Sequence, residues 1–191
     1  MDISIVAKTV DDAAGEALDK GAKLLGIPYP GGAELERRAK GGNAKAYDFP
    51  QAFQAKNEMK FSFSGLKTSL LYTIKKMTST QVKDHYSDLS ASYQRAAIMQ
   101  LVRKTSHAWE QGDFRSIGLS GGVANNQLLR DEMKELAQSN GTELLCAEPR
   151  HTGDNAAMIA YAAHVDSKNT WANQNQELSF NSSLTLSEFP S

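Results

Sequence analysis

The spacing of apolar residues changes several times along the chain, and each change predicts a different element. Residues 2 to 8 alternate apolar and polar side chains, which predicts a strand. Over residues 11 to 25 the apolar positions recur at helical spacing, so we expect the strand to lead directly into a helix that ends at Gly26. The sequence "GIPYPGG" then predicts a rigid turn before a second short helix that begins near Ala33.

The middle of the chain is predicted to be helical. Residues 41 to 60 show no period and are expected to form an irregular connector. Apolar residues recur at three and four over residues 65 to 77 and again over about 89 to 110, which predicts two helices. We expect this helical insert to be exposed and suited to docking.

A βαβ unit is predicted next. The sequence "RSIGLS" (115 to 120) predicts a short buried strand, and "TELLCA" (142 to 147) predicts another. The stretch between them predicts a helix that ends at Asn140 and Gly141, preceded by a Gly-Gly turn. An alanine-rich helix follows Asp154. The polar residues 167–191 form a tail in which Leu178 to Leu186 leave room for an edge strand.

Composition narrows the class of protein. The 191 residues carry 21 basic and 22 acidic side chains, so a nucleic-acid contact would depend on a local patch or a partner. Cys146 is the only cysteine, which excludes an internal disulfide and favours a reducing compartment. No stretch resembles a signal peptide or approaches about 20 consecutive apolar residues, so we expect a cytoplasmic protein that does not contact a membrane.

Three acidic residues share one face of the first predicted helix. Asp12, Glu16 and Asp19 are spaced by four and then three residues. They could form an ordinary solvated face whose charge Lys20 and Lys23 offset. Alternatively, one of the carboxylates could accept hydrogen bonds from ribose hydroxyls. The spacing alone leaves both interpretations open.

Two Gly-Gly pairs precede predicted helices. Glycines at such positions can form a simple turn, or they can let backbone N–H groups approach an anionic or sugar ligand. The first pair ends at Gly32, and the second is Gly121 and Gly122, followed by Asn125 and Asn126. At the second pair, either asparagine could cap the following helix. Alternatively, Asn126 could bind a base or a ribose, and we then expect Asn125 to be the structural residue of the two.

The segment "HTGDN" contains a candidate metal ligand. Asp154 could cap the alanine-rich helix, or it could bind a metal together with ligands from elsewhere. His151 could be a second ligand, although a histidine in a loop is more often an ordinary surface residue.

Four segments in this order resemble the tRNA threonylcarbamoyltransferase (TsaD/Kae1/Qri7) family. They are "DDAAGEALDKGAKLLGIPYPGG", "FSFSGLKTSL", "GGVANNQLLR" and "DNAAMIAYA". The resemblance implies an α/β fold, namely a C-terminal actin-like ATPase (ASKHA) lobe over residues 1–166 with a helical insert over about 60–112. The loops differ in part, since the usual Cys-Thr-Asp-Asn is Thr152-Gly153-Asp154-Asn155 here.

The resemblance also implies an activity, which is the transfer of threonylcarbamoyl from threonylcarbamoyl-AMP to N6 of adenosine 37 in tRNAs that read ANN codons. It implies tRNA as a partner, with TsaB-like and TsaE-like accessory proteins. One iron or zinc ion per full-length subunit would be bound by Asp154. The implied nucleotide ligand is AMP, ATP or the acylated AMP. Its contacts would be Asp19, Gly32, Glu36 and Asn126, with Glu16, Gly121 and Gly122 as further candidates.

The family's His-x-x-x-His helix and its Ser-Gly-Gly-His loop do not occur in these 191 residues. We therefore expect a single lobe of the acyltransferase that is inactive alone, without a catalytic nucleophile of its own. Two alternatives stay open. One is a related carbamoyltransferase, against which the "FSFSGLKTS" segment argues. The other is a non-catalytic actin-like lobe that serves as a scaffold for partner proteins.

Overall fold

The computed structural model describes residues 4–153 and 156–165. These residues form an α/β arrangement in which seven α-helices accompany four short strands. The helices are α1 (Ala14–Leu24), α2 (Gly31–Ala39), α3 (Ser64–Lys75), α4 (Ser79–Asp84), α5 (Tyr86–Trp109), α6 (Gln127–Ser139) and α7 (Ala156–His164). The strands are β1 (Lys8–Thr9), β2 (Lys60–Phe61), β3 (Ser116–Leu119) and β4 (Glu143–Cys146).

The strands pair in two parallel ladders. β1 pairs with β2, and β3 pairs with β4 in a register that places Ile117 opposite Leu144. Parallel strands need a crossover connection, and α6 supplies it between β3 and β4. The predicted βαβ unit is therefore confirmed.

Two predictions about strands are corrected. Of the described residues 4–8 in the strand expected over residues 2 to 8, only Lys8 lies in a strand, the two-residue β1. The strand β3 was expected to be buried, but only Ile117 is, while Ser116 and Gly118 are exposed. Among the described helices, α6 packs on both β3 and β4.

Helix α5 lies at the centre of the hydrophobic core. It packs against α1, α2, α3 and α6, and its side chains Leu89, Tyr93 and Ile98 are completely buried. The expectation of an exposed helical insert is therefore wrong for this helix. The spacing of its apolar residues marks one face, but polar side chains such as Ser90, Gln94 and Gln100 are buried as well, because the helix is covered on several sides.

Helix α4 was not predicted. Val82 is the only apolar residue in this six-residue helix, so the helix has no spacing of apolar residues from which it could be predicted. The structure shows a capping box instead, in which Thr78 accepts from the backbone of Gln81 while the Gln81 side chain accepts from the backbone of Thr78. This T-x-x-Q pair was the signal available in the sequence.

Two adjacent aspartates join β1 to the start of α3. Burial opposes ionisation of Asp11, but hydrogen bonds from the backbone and hydroxyl groups of residues 62–64 outweigh it and lower its pKa. The pKa of Asp12 is lowered by its hydrogen bonds to Lys20 and then to Lys67, which also form ion pairs with it. The "FSFSGLKTS" segment is thus fixed to the entrance of α1.

The contact between α1 and α5 depends on a glycine. A Cβ atom on Gly21 would lie 2.1 Å from Cε1 of Tyr93, a separation that no packed structure tolerates. The hydroxyl of Tyr93 also donates to the carbonyl of Ala17 at 2.8 Å. Burial raises the pKa of this hydroxyl, so it stays protonated and remains a donor.

Some sequence predictions fall outside the described residues. These are the Asn-Gln-Ser tail with its edge strand around Leu178, and the cap at Asp154. Among residues 4–153 and 156–165, no helix combines the length and the apolar character that crossing a membrane requires.

We predict that Gly21→Ala destabilises the protein. The added methyl group displaces the ring of Tyr93, and overpacking of a well-packed core typically costs about 1–3 kcal/mol. Chemical denaturation monitored by circular dichroism measures the free energy of unfolding.

A matched control for this variant is Gly65→Ala. Gly65 also lies in a helix, but a Cβ atom there meets nothing within 4 Å. This change should leave stability unaltered or raise it by up to about 1 kcal/mol, because alanine is the better helix former. Equal stability of the Gly21→Ala variant and the wild type would contradict the packing argument.

We also predict that Asp11 makes the fold sensitive to acid. Its pKa in the folded protein is below the value of about 3.9 that an unfolded aspartate has. The resulting stabilisation is complete above that value and is lost as the pH falls through the folded pKa. Asp11→Asn should therefore lower the free energy of unfolding at pH 7. Below about pH 4, roughly the pKa of an unfolded aspartate, the free energy of unfolding of the variant should fall less steeply than that of the wild type. Urea denaturation at several pH values measures both effects. The exposed Asp113→Asn serves as control, and an unchanged acid profile of Asp11→Asn would refute the assignment.

Candidate nucleotide-binding cavity

A cavity of about 480 Å³ lies between α1, the start of α2 and the turn that precedes α6. Five of the sequence-predicted contact residues line it together, although they are separated by up to about a hundred positions in the chain. Two further candidates, Glu16 and Gly121, do not line it. The lining residues are Ala13, Gly15, Leu18, Asp19, Pro30, Gly32, Ala33, Glu36, Gly122, Val123, Asn125 and Asn126.

Asp19 lies on α1, partly buried at one wall of the cavity. Its Oδ1 atom accepts a hydrogen bond from the backbone N–H of Gly32 at 2.7 Å. Its Oδ2 atom has no partner within the described part of the chain. One oxygen therefore fixes the carboxylate in place, while the other is available to a ligand.

The first Gly-Gly pair belongs to α2 rather than to a turn before it. Gly31 and Gly32 are the first two residues of the helix, which begins two positions earlier than predicted. A Cβ atom on Gly31 would lie 2.7 Å from Cβ of Ala22, so α2 can approach α1 only because this residue is glycine. Gly32 lines the cavity, and a Cβ atom there would make ordinary contacts of 3.5 Å with Asp19 and Leu18.

Glu36 connects two walls of the cavity. It lies one turn further along α2, and its Oε1 atom accepts from the backbone N–H of Gln127 at 2.6 Å. Gln127 is the first residue of α6, whose first N–H groups lack acceptors within the helix. The second carboxylate oxygen of Glu36 has no partner among the described residues. The cavity therefore contains two carboxylates, each held by one oxygen.

The two asparagines have different surroundings. Asn126 is buried and caps α6, since its Oδ1 atom accepts from the backbone N–H of Leu129 at 3.1 Å. Asn125 is exposed and donates from Nδ2 to the hydroxyl of Thr152 at 2.6 Å. The capping interpretation is confirmed for Asn126, and the expectation that Asn125 is the structural residue of the two is wrong for the cap of α6. Both asparagines also line the cavity, and a contact between Asn126 and a ligand stays a prediction.

The second Gly-Gly pair starts a 3₁₀ turn, Gly122–Asn125, that separates it from α6. Gly121 has a φ of 83°, which favours glycine. At Gly122 an added Cβ atom would meet nothing within 4 Å, although the residue lines the cavity. The absent side chain at Gly122 thus leaves room on the cavity side of the turn.

The acidic face predicted on the first helix is not continuous. Asp12 precedes α1, which begins at Ala14, and Lys20 forms ion pairs with both Asp12 and Glu16. Asp19 makes no ion pair within the described residues and turns to the cavity instead. No lysine or arginine is among the cavity's described lining residues. The charge of this wall therefore suits a group that donates hydrogen bonds, such as a sugar with free hydroxyls, better than a phosphate.

One residue that contacts the site without lining the cavity was not predicted from the sequence. Gln94 of α5 is buried, and its Oε1 atom accepts from Nδ2 of Asn126 at 3.3 Å. The signal available in the sequence was a glutamine among small residues, since the neighbouring buried positions of α5 are mostly alanine and serine.

The predicted metal ligand Asp154 lies outside the described residues. His151 is exposed at the end of a 3₁₀ turn. Residues 4–153 and 156–165 contain no group of three or more His, Cys, Asp or Glu side chains placed to hold a metal. The side chains described here do not by themselves fit an iron or zinc site.

Known proteins resemble this chain in sequence and in fold. The family described as "TsaD: tRNA N6-adenosine threonylcarbamoyltransferase" matches residues 1–161. A curated protein of that name from Anaeromyxobacter sp. is 48% identical over 162 residues, which cover 84% of this chain and 48% of the relative. Another, from Thermosipho melanesiensis, is 45% identical over 162 residues, covering 85% of this chain and 49% of the relative.

A third curated protein of the same name, from Geobacter sulfurreducens, is 46% identical over 155 residues and is covered to 45% of its length. The chain thus spans about half the length of the curated relatives it matches. Among solved structures, HypF of T. kodakarensis shares the fold with a TM-score of 0.52 and 23% identity, over 78% of this chain and 19% of that one. On the extent and identity of these matches, the chain belongs to the tRNA N6-adenosine threonylcarbamoyltransferase family.

Proposed function

We propose that these residues form the nucleotide-binding wall of a tRNA N6-adenosine threonylcarbamoyltransferase. The observation that carries the proposal is the single cavity lined by Asp19, Gly32, Glu36 and Asn126, in a chain that belongs to this family. The ligand would be the AMP part of threonylcarbamoyl-AMP. The fold would be the C-terminal actin-like lobe, and its βαβ unit with the cavity beside the 3₁₀ turn supports this assignment.

In this proposal the two carboxylates bind the sugar of the nucleotide. The free oxygens of Asp19 and Glu36 accept hydrogen bonds from ribose hydroxyls, while their other oxygens are fixed by backbone N–H groups. Gly32 and Gly122 let the chain approach the nucleotide, and apolar side chains such as Leu18 and Val123 contact the base. Two carboxylates would repel a phosphate, so the anhydride end of the donor points away from them.

The chemistry needs orientation more than activation. The N6 amine of adenosine 37 attacks the carbamoyl carbonyl carbon, the bond from that carbon to the phosphate oxygen breaks, and AMP leaves with the bonding electrons. The amine proton passes to solvent. Because AMP is already a good leaving group, holding the donor in one orientation contributes much of the rate, as effective molarities of about 10⁵ M or more illustrate. No nucleophile from the protein is required.

We include a metal ion, iron or zinc, for which Asp154 is the one ligand that we propose. Bound near the donor, it would polarise the carbonyl group. One carboxylate leaves most of a coordination sphere to be filled, and residues 4–153 and 156–165 contain no group of three or more candidate ligand side chains. No step in the reaction above depends on it.

We further propose tRNA as the acceptor substrate, a cytoplasmic location, and TsaB-like and TsaE-like accessory proteins as partners. The family to which the chain belongs supports the tRNA assignment. The single cysteine supports a reducing compartment. The scaffold alternative loses its main argument, because α5 is buried in the core rather than free for docking.

We predict that Asp19→Asn weakens the binding of AMP by about tenfold or more, since hydrogen bonds to a charged acceptor are each worth about 1.5–3 kcal/mol. Asparagine keeps the oxygen that accepts from Gly32, so the fold is expected to persist. Isothermal titration calorimetry with AMP measures the affinity, and a thermal melt checks the fold.

The control for this change is Asp113→Asn, which removes the same charge at an exposed position that does not line the cavity. A second variant, Gly122→Leu, places a side chain on the cavity wall at a position where the added Cβ atom meets nothing within 4 Å, and it should abolish binding. Unchanged AMP affinity in both Asp19→Asn and Gly122→Leu would favour a scaffold and reject the nucleotide site.

We predict that the 191 residues alone do not transfer threonylcarbamoyl to tRNA. Their described cavity wall offers acceptors for a ribose but no cation for the phosphate. Transfer from threonylcarbamoyl-AMP to unmodified tRNA is measured by nucleoside analysis, with the Geobacter sulfurreducens relative as the positive control. Turnover by the chain alone at the rate of that relative would contradict the prediction.

A further inference from the structure

Two hydrogen bonds determine which terminal atom of the Asn126 carboxamide is the oxygen and which is the nitrogen. The backbone N–H of Leu129 can only donate, so the atom it meets at 3.1 Å must be the carboxamide oxygen. The other terminal atom of Asn126 is then the nitrogen, which can only donate. Gln94 must therefore present its oxygen to that nitrogen, as it does at 3.3 Å.

This arrangement leaves one donor on Asn126 unused. The carboxamide nitrogen carries two hydrogens, of which one is directed at Gln94. The second hydrogen has no acceptor among the described residues. Asn126 is only 6% exposed, and it lines the cavity. A buried donor without a partner is costly, so a ligand acceptor at this point would be strongly favoured.

Gln94 is well placed to control that donor. It is 6% exposed and lies on α5, next to Tyr93, whose hydroxyl holds α1 through the carbonyl of Ala17. The same two adjacent residues of α5 therefore bind the α1 wall and the α6 wall of the cavity. A rotation of the Asn126 side chain would break its bonds to Leu129 and to Gln94 together.

We propose that Gln94 is a positioning residue, which holds Asn126 so that its second amide hydrogen is a donor to an acceptor atom of the bound nucleoside. This inference rests on the proposed nucleotide site. The two carboxylates of the cavity accept hydrogen bonds from donors of the ligand, namely its hydroxyl groups. Asn126 donates instead to a ligand acceptor, such as a ring nitrogen or a ribose oxygen. The backbone N–H of Leu129 excludes the flipped carboxamide, and Gln94 holds the first amide hydrogen so that the second is left for the ligand.

The test uses AMP as the probe and three variants. Gln94→Met keeps the length of the side chain but removes the acceptor, and we expect AMP binding to weaken by about tenfold. Gln94→Glu retains an acceptor oxygen and should restore the affinity to within about threefold of the wild type. Asn126→Asp keeps the capping oxygen but removes the donor, so binding should weaken by more than about tenfold.

A matched control comes from the same helix. Gln100 is also a buried glutamine of α5, but neither its oxygen nor its nitrogen has a hydrogen-bond partner within the described residues. Gln100→Met should leave AMP affinity unchanged. If it weakened binding as much as Gln94→Met, the effect would be one of general packing and the proposal would be wrong.

A double-mutant cycle tests whether Gln94 acts through Asn126. In an Asn126→Ala background, Gln94→Met should change AMP affinity by less than about twofold, because the group it positions is gone. Additive losses in the double variant would overturn the proposal. Thermal melts of all variants identify any loss that comes from unfolding.

A measurement without nucleotide separates this inference from the proposed function. The side-chain amide signals of Asn126 in a ¹⁵N NMR spectrum should shift in Gln94→Met and return toward the wild-type position in Gln94→Glu. No AMP binding by the wild type, together with this shift, would contradict the nucleotide site and with it the ligand contact of Asn126. Unaltered signals in Gln94→Met would refute the positioning role itself.

Discussion

The close approach of α1 to α5 is the constraint on which the rest of this structure depends. The ring of Tyr93 fills the space beside Gly21, and its hydroxyl is bonded to the carbonyl of Ala17 one turn earlier. Helix α1 is thereby fixed in position and in rotation about its axis. Since Asp19 lies between these two contact points on the same helix, its carboxylate can turn only toward the start of α2, where Gly32 donates to it.

The cavity is a consequence of how α2 and α6 are joined to that pair of helices. Asp19 connects α1 to α2, Glu36 connects α2 to the backbone of α6, and Gln94 connects α5 to the cap of α6. Each connection uses one polar atom of a side chain whose other atoms remain available. Two of these residues, Asp19 and Glu36, therefore both join the walls and line the cavity.

The sequence predicted the helices well where one face is apolar, as in α1 and α6, and the parallel βαβ unit followed from strand length and turn chemistry. It could not predict that α5 is central, because a helix covered on several sides has no polar face to define its orientation. The contact residues came from resemblance to a family rather than from spacing. Gln94 was missed because a hydrogen bond between residues 94 and 126 depends on tertiary packing, which no local pattern encodes.

The two adjacent glycines at the start of α2 differ in what they contribute. Gly31 is required by the backbone and side chain of α1, whereas Gly32 has room for a methyl group at ordinary contact distance. Two adjacent glycines thus combine a folding requirement at Gly31 with a position on the cavity wall at Gly32. Damage at Gly31 would reduce the amount of folded protein in a cell, while damage at Gly32 would leave abundant protein with an altered site. Genetic variants of this one motif would therefore fall into two classes, separable by protein abundance.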